Sequence, residues 1–172
     1  MKYLFLAMTF FVACSNYLVQ FPINDWLTYG AFAYPLTFLV TELSNRLYGP
    51  RNARKVVYAG FAVAVLLSTI LSTPKIAFAS GSAFLVAQLL DISIFTRLRQ
   101  QSWWIAPFCA SVLASLVDTL IFWNLAFYNE GMPILSLAFG DFLVKLTLDV
   151  LMLMPYRLSL SRALGSKQIA AS

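Results

Sequence analysis

Six long apolar stretches decide what this sequence can fold into. They cover residues 3–20, 28–48, 55–73, 76–96, 104–127 and 134–156. Each approaches the ~20 residues that an α-helix needs to cross the hydrocarbon core of a bilayer. Only 11% of the residues are charged, against about 25% in soluble domains, and the mean hydropathy is +0.77. The sequence therefore predicts an all-α membrane protein whose six transmembrane helices form a single domain over residues 1–158.

The basic residues predict which helix ends face the cytoplasm. Ten of the twelve lysines and arginines lie at the chain termini or in the 2–3 and 4–5 connections: Lys2, Arg46, Arg51, Arg54, Lys55, Arg97, Arg99, Arg157, Arg162 and Lys167. Because cytoplasmic loops carry an excess of positive charge, both termini are expected in the cytoplasm, with residues 159–172 as a short basic tail. Since these residues lie at membrane edges, the net charge of +5 reflects orientation and indicates no nucleic-acid partner.

The two cysteines, Cys14 and Cys109, lie in predicted spans and indicate no disulfide framework. The start of the chain up to Cys14 also has features of a cleavable lipoprotein signal. Phe11 is a poor residue for that cleavage site, and loss of the first helix would upset the even number of spans. We therefore expect the first helix to be retained.

Pro35 lies inside the second stretch and predicts a kink one turn before Phe38 and Glu42. Two interpretations are open. A neighbouring helix can satisfy the backbone group that the proline frees, which is the interpretation we favour. Alternatively, the broken helix exposes backbone to a ligand.

Two alanine stripes predict close packing between the fourth and fifth helices. In each stripe a small residue recurs at every fourth position and an aspartate ends the series: Ala79, Ala83, Ala87 and Asp91, then Ala106, Ala110, Ala114 and Asp118. A spacing of four places each stripe on one helix face, where small residues allow two backbones to approach closely.

Five of the seven acidic residues fall inside the apolar stretches: Glu42, Asp91, Asp118, Asp141 and Asp149. A charge at bilayer depth costs at least ~2.5–3.5 kcal/mol unless it is paired or faces a water-filled cavity. Lys145 lies one turn from each of two aspartates and can pair with both. With Gln88 and Asn16, these residues predict an outer and an inner polar cluster. We therefore expect something polar to bind within the protein or to pass through it.

Most of these residues also have a purely structural interpretation. Lys145 with its aspartates can be a salt bridge that locks helices together. Glu42 can neutralise Arg46 one turn later, and Asp91 can hold one of the arginines at the end of its own helix. Asp118 has no basic residue in its helix, so it needs a partner elsewhere or a ligand. It is the best single functional candidate.

Enzymatic functions find little support in the sequence. It contains no histidine, and its cysteines lack a partner pattern, so we expect no metal site, no cofactor and no catalytic triad. The segment Phe139-Gly140-Asp141 resembles the glycine–aspartate element of intramembrane aspartyl proteases, with Asp118 as a conceivable second aspartate. Lys145 nearby disfavours the proton that such a dyad shares. We expect a protein that is not an enzyme.

Several short segments, in this order along the chain, resemble the queuosine precursor transporters, a family also described as vitamin-uptake-like. They are Asn16–Phe21, Pro35 with Phe38–Glu42, Arg46–Gly49, Gln88–Asp91, Phe95 with Arg97–Arg99, Trp103-Trp104, Asp118-Thr119, and Asp141 with Lys145. Glu42 departs from the family pattern, which more often has aspartate there. Asp149 is not part of that pattern, and we interpret it as a structural pair for Lys145.

The resemblance implies a multi-pass transporter of the bacterial inner membrane that imports 7-deazaguanine bases for tRNA modification. These are the cyano and aminomethyl forms, or queuine. A carboxylate can accept two hydrogen bonds from a guanine-like edge, and we assign this role to Asp118. Gln88 and Asn16 are supporting amides, and Phe38 is a stacking residue. We also assign Asp141 and Lys145 to substrate binding. Glu42 or Asp91 takes a gate or coupling role.

The alternative function is that of a substrate-binding subunit of an energy-coupling-factor vitamin transporter, which needs ATPase partners. Such subunits carry an Ala-x-x-x-Ala docking face in the first helix, whereas this first helix has only Ala7 and Ala13. One bundle of 172 residues is small for alternating access. We therefore expect a homodimer, with the small-residue faces as candidate contacts.

Overall fold

Seven helices and one small hairpin make up the part of the chain that the structure, a computed structural model, describes: residues 1–18, 21–24, 27–71, 73–128 and 134–169. In chain order the elements are α1 (Lys2–Leu18), β1 (Pro22–Asn24), β2 (Leu27–Thr28), α2 (Gly30–Ala33), α3 (Pro35–Tyr48), α4 (Pro50–Leu71), α5 (Pro74–Leu98), α6 (Ile105–Phe127) and α7 (Ile134–Ile169). The two acidic residues that fall between the apolar stretches, Asp25 and Glu130, lie outside the described residues.

The helices follow the six apolar stretches, which confirms a helical membrane protein. Among the described residues, α4, α5 and α6 are each long and apolar enough to cross a bilayer, while α1 is a shorter apolar helix of 17 residues. The count of six spans stays a prediction. An antiparallel pairing of β1 with β2 was not foreseen, because both strands are very short and lie between apolar stretches.

Local sequence signals set several helix ends. Thr73 caps α5, since its hydroxyl accepts a hydrogen bond from the amide of Ile76, and Pro74 follows as the first helical residue. Gly49 separates α3 from α4 with a φ of 83°. Residues with a Cβ rarely adopt that conformation, so the glycine allows one helix to end and the next to begin at Pro50.

The second stretch forms two helices that meet at Tyr34. Pro35 is the first residue of α3, where its missing N–H costs little. The surrounding carbonyls have other donors: Ser15 of α1 donates to Gly30 O at 3.3 Å, and Thr37 Oγ1 donates to Tyr34 O at 2.7 Å. The neighbouring α1 thus contributes one hydrogen bond near the break. The carbonyl that Pro35 leaves without its helical donor is that of Ala31, so both interpretations of Pro35 stay open.

The last helix is longer than the sequence suggested. The sixth apolar stretch ends at residue 156, yet α7 contains Pro155 and runs for 36 residues to Ile169. One proline removes a single backbone hydrogen bond and bends a helix more readily than it ends one. At ~1.5 Å per residue, α7 is about 54 Å long, so it exceeds the ~30 Å hydrocarbon core. The role of residues 159–172 as a cytoplasmic tail stays a prediction.

The closest packing joins α5 to α6 through the two alanine stripes. All six alanines are buried, with exposed fractions of 2% or less: Ala79, Ala83, Ala87, Ala106, Ala110 and Ala114. The prediction of close packing is confirmed. The same burial means that these stripes are used within one chain, so they are not available as contacts between two copies, as the sequence had suggested.

The basic connections meet at one end of the bundle. Arg46 donates to the carbonyl of Arg99, and Arg99 Nη2 donates back to Arg46 O at 3.1 Å. Arg46 Nε also donates to the hydroxyl of Tyr156 at 3.1 Å, and the Arg157 guanidinium lies 4.8 Å from the centre of the Trp103 ring. Four parts of the chain are therefore neighbours: the C-terminal end of α3, the residue after α5, the residues before α6, and α7 near residue 156.

Candidate functional site

A buried charge network lies where α6 and α7 meet the junction of α2 and α3. Lys145 Nζ donates to Asp118 Oδ2 at 2.8 Å, to Asp141 Oδ2 at 2.6 Å and to Thr119 Oγ1 at 3.0 Å. Tyr34 Oη donates to Asp118 Oδ1 at 2.6 Å, and Thr119 Oγ1 donates to Asp141 Oδ2 at 2.8 Å. We call these five residues the Lys145 network. Two carboxylates face one ammonium, so the network is one negative charge in excess.

Each member is positioned by a simple feature of the chain. Asp118 and Thr119 are neighbours on α6, and Asp141 and Lys145 lie one turn apart on α7. Tyr34 stands at the helix break before Pro35. Sequence reasoning missed Tyr34, because no local pattern in the chain predicts a hydrogen-bond partner 84 positions away.

The network confirms one sequence prediction and corrects another. The Asp141–Lys145 pair forms as expected from their spacing. Asp149, however, does not pair with Lys145, although it also lies one turn away; Asp149 Oδ2 accepts from Ser115 Oγ at 2.8 Å. An ammonium has three N–H donors, and here all three go to Asp118, Thr119 and Asp141.

Gln88 belongs to a second buried polar group, on the contact between α5 and α3. Its Nε2 donates to Thr37 Oγ1 at 2.9 Å, and its Oε1 accepts from Thr41 Oγ1 at 2.5 Å. Thr37 in turn donates to the carbonyl of Tyr34, whose side chain reaches Asp118. Polar contacts therefore lead from Gln88 to the Lys145 network.

Asn16 lies elsewhere. Its Nδ2 donates to Val12 O in its own helix at 2.9 Å, and its Oδ1 accepts from Ser68 Oγ of α4 at 2.9 Å. Neither partner belongs to the Lys145 network or to the group around Gln88. The hydrogen bonds of Asn16 therefore hold α1 against α4, and the structure does not bring this residue together with Asp118.

Glu42 and Asp91 are buried without partners. Glu42 is 3% exposed and Asp91 is fully buried, and neither Glu42 Oε1 nor either Asp91 oxygen has a hydrogen-bond partner among the described residues. The structural interpretations of both residues are therefore wrong. Arg46 donates to Tyr156 and to Arg99 instead of pairing with Glu42. Burying a carboxylate without hydrogen-bond donors costs free energy of folding. A functional role therefore explains Glu42 and Asp91 better than a contribution to stability does.

A small pocket lies between α3, α6 and α7. Its wall combines two carboxylates and one hydroxyl with aromatic and aliphatic groups: Pro35, Phe38, Leu39, Glu42, Pro107, Ser111, Asp149, Met152 and Leu153. Phe38 is 1% exposed, and its ring meets that of Tyr34 edge to face at 5.7 Å. Among the described residues, no group of three or more acidic residues, cysteines or histidines can hold a metal ion.

Apolar helices that enclose a buried charge network and unpartnered carboxylates are the features of a multi-pass membrane protein with a polar interior. The comparisons with known proteins agree with this class. A family model described as "Putative vitamin uptake transporter" matches residues 28–73 and 67–159. The chain belongs to this family of transporters.

Three curated relatives are similar over most of their length. The "Probable queuosine precursor transporter" of Haemophilus influenzae is 32% identical over an aligned length of 187 positions, and the match covers 85% of this chain and 80% of the relative. The "Queuosine precursor transporter" of Escherichia coli K12 is 30% identical, covering 84% and 78%. A "Probable queuosine precursor transporter" of Bacillus subtilis is 27% identical, covering 72% and 68%. No solved structure matches the chain.

The relatives and the apolar helices together fit a multi-pass protein of the bacterial inner membrane. Because the relatives are transporters, they point away from an enzyme.

Proposed function

We propose that this chain is a transporter, with no enzymatic activity, that imports queuosine precursors across the bacterial inner membrane for tRNA modification. The substrates are 7-deazaguanine bases in the cyano or aminomethyl form, or queuine. The observation that carries the proposal is the likeness to curated queuosine precursor transporters over about 85% of the chain. The same likeness favours an autonomous transporter over the substrate-binding subunit of an energy-coupling-factor system.

The buried chemistry supports this substrate class. Five carboxylates but only one lysine lie deep in the apolar stretches, so the interior offers many hydrogen-bond acceptors and little to attract an anion. A deazaguanine carries two adjacent donors on its guanine-like edge, and the aminomethyl form adds a cation. Charge-assisted hydrogen bonds from such groups to a carboxylate are stronger than neutral ones. The interior is therefore complementary to a flat, donor-rich solute.

The residue roles form part of the proposal. Asp118 accepts the guanine-like edge, with Asp141 and Lys145 beside it and Gln88 linked to it through Thr37 and Tyr34. Phe38 offers an aromatic surface. Asn16, proposed as a supporting amide, would have to leave its contact with α4.

The unpartnered carboxylates of Glu42 and Asp91 take the gate or coupling role. Of the two, Asp91 is the stronger candidate for coupling, because both of its oxygens are free to exchange a proton.

The arrangement in the membrane is also proposed. Six spans with both termini in the cytoplasm place the cluster of arginines around Arg46 and Arg99 on the cytoplasmic side, in keeping with the excess of positive charge there. A homodimer would have to use other faces than the alanine stripes, because these are buried within one chain.

The test is uptake of labelled aminomethyl-7-deazaguanine by cells that cannot make it and that carry this chain without any energy-coupling partner. We expect the cells to take up the labelled compound. The unlabelled cyano form should compete with this uptake, and the Asp118→Asn variant should reduce it. A strain with an empty vector is the control. Binding to the purified protein without uptake would favour the partner-dependent subunit, and the absence of both would refute the deazaguanine assignment.

A further inference from the structure

The pocket between α3, α6 and α7 holds an acceptor that the protein itself leaves unused. Glu42 lines this pocket and is 97% buried, since only 3% of its surface is exposed. Its Oε1 has no hydrogen-bond partner among the described residues. Because buried polar groups are hydrogen-bonded in the large majority of cases, an orphaned carboxylate oxygen at a pocket wall is available to a donor that the protein does not supply.

A second carboxylate offers a further free acceptor in the same pocket. Asp149 lines it and is 2% exposed. Only its Oδ2 is engaged, by the hydroxyl of Ser115, so Oδ1 can accept from a ligand. The Phe38 ring and aliphatic side chains form much of the remaining wall. Two acceptors set in an aromatic and aliphatic wall are complementary to a flat ring that carries donors at two places.

Asp118 is less well suited to this task in the conformation observed. Its Oδ1 accepts from Tyr34 at 2.6 Å and its Oδ2 from Lys145 at 2.8 Å. A substrate edge that replaced both donors would leave the ammonium of Lys145, which is 7% exposed, with a weaker set of partners inside the bundle. Breaking a buried ion pair in this way is strongly unfavourable, whereas Glu42 has no protein donor to lose at Oε1.

We infer that Glu42 binds the guanine-like edge of the substrate in this pocket, and that Asp149 binds the aminomethyl ammonium. The inference rests on the proposed function and revises two of its residue roles. Glu42 binds the edge in place of Asp118, and the gate or coupling role then falls to Asp91 alone. The two adjacent N–H groups of the edge donate to the Glu42 carboxylate, and the ring lies against Phe38. The cyano form lacks the ammonium, so Asp149 distinguishes the two substrate forms while Glu42 recognises both.

Binding in this pocket requires a change in helix packing. As observed, the pocket has room for about one water molecule, which is far less than a fused ring needs. The substrate therefore enters when α3 and α7 separate, and the observed structure is the closed state. The Lys145 network, which joins Tyr34 before α3 to α6 and α7, holds these elements together when no substrate is bound.

The test measures binding of labelled cyano and aminomethyl deazaguanines to the purified full chain in lipid nanodiscs. We expect Glu42→Gln to weaken binding of both forms by about 10-fold or more, because each hydrogen bond to a charged group is worth about one to two powers of ten. Glu42→Asp is the matched control, since it keeps the carboxylate and should retain most of the affinity. Thermal unfolding of each variant checks that it is folded.

Asp149→Asn provides an independent measurement if Glu42→Gln fails to fold. Asparagine can still accept from Ser115 but carries no charge. We expect about a 10-fold loss for the aminomethyl form and less than about a 3-fold change for the cyano form, so the ratio of the two affinities changes.

The inference is overturned if folded Glu42→Gln and Asp149→Asn bind both forms as the wild type does, most clearly if Asp118→Asn abolishes binding. If the wild type binds neither form, the proposed function itself fails, which is a different result.

Discussion

Replacing Lys145 by methionine is expected to destabilise the bundle by about 3 kcal/mol. The change removes three hydrogen bonds and the only cation paired with Asp118 and Asp141 among the described residues. Breaking a buried pair by deleting one partner costs about 3–5 kcal/mol. The lower end applies because the Asp141 side chain is 19% exposed, and both carboxylates keep one donor, from Tyr34 and Thr119.

A second variant separates lost charge pairing from lost packing. In the double variant Lys145→Met with Asp118→Asn, the more deeply buried carboxylate is neutral, so about half of the lost stability or more should return. Lys55→Met is the control, because Lys55 is an exposed lysine on α4 whose replacement should change stability by no more than about 0.5 kcal/mol.

The measurement is denaturant-induced unfolding in detergent micelles, followed by tryptophan fluorescence. Two outcomes contradict the reasoning. A loss of less than about 1 kcal/mol in Lys145→Met would mean that the network contributes little, against the figure expected for a buried pair. A double variant less stable than Lys145→Met would mean that the cost comes from packing and not from stranded charge.

Three further changes test single features by the same unfolding measurement. Tyr34→Phe should cost about 1.5–3 kcal/mol, because it removes a charged hydrogen bond; stability equal to the wild type would argue against that bond. Asp91→Asn should stay within about 1 kcal/mol, because neither oxygen of Asp91 has a partner to lose, and a larger loss would reveal one. Gly60→Ala should cost about 1–3 kcal/mol, because its new Cβ would lie 2.6 Å from Met8 Cγ. Gly81→Ala meets nothing closer than 3.5 Å and should be neutral or stabilising, and equal behaviour of both alanine variants would refute the steric argument.

The positions of the helices were largely readable from the sequence, because the signals are local. A run of ~20 apolar residues excludes most alternatives to a helix in a bilayer, and Pro74 after Thr73 marks where α5 begins. The alanine stripes correctly indicated the close contact of α5 with α6, because a spacing of four puts small residues on one face. The extent of α7 was misjudged, because Pro155 is accommodated inside the helix.

The spacing of residues along the chain could not decide which buried side chains pair with each other. The spacing allowed Lys145 to reach both Asp141 and Asp149 on its own helix, and only the neighbouring helix decided between them. Asp118 lies 27 positions before Lys145 and accepts one of the three N–H donors of its ammonium, while Asp149 Oδ2 accepts from Ser115 instead. The contact of Tyr34 with Asp118 spans 84 positions, which no periodicity within one helix can reveal.

The sequence by itself determined that this is a helical membrane protein with charged groups in its interior, because apolar length and the cost of buried charge are properties of composition and order. Only the tertiary structure decided which of those charges are neutralised. The relative rotation of α3, α6 and α7 gives Asp118 two donors and leaves Glu42 with an unused oxygen at a pocket wall. Rotation between helices depends on packing across the whole bundle, so this distinction emerges only when the chain is folded.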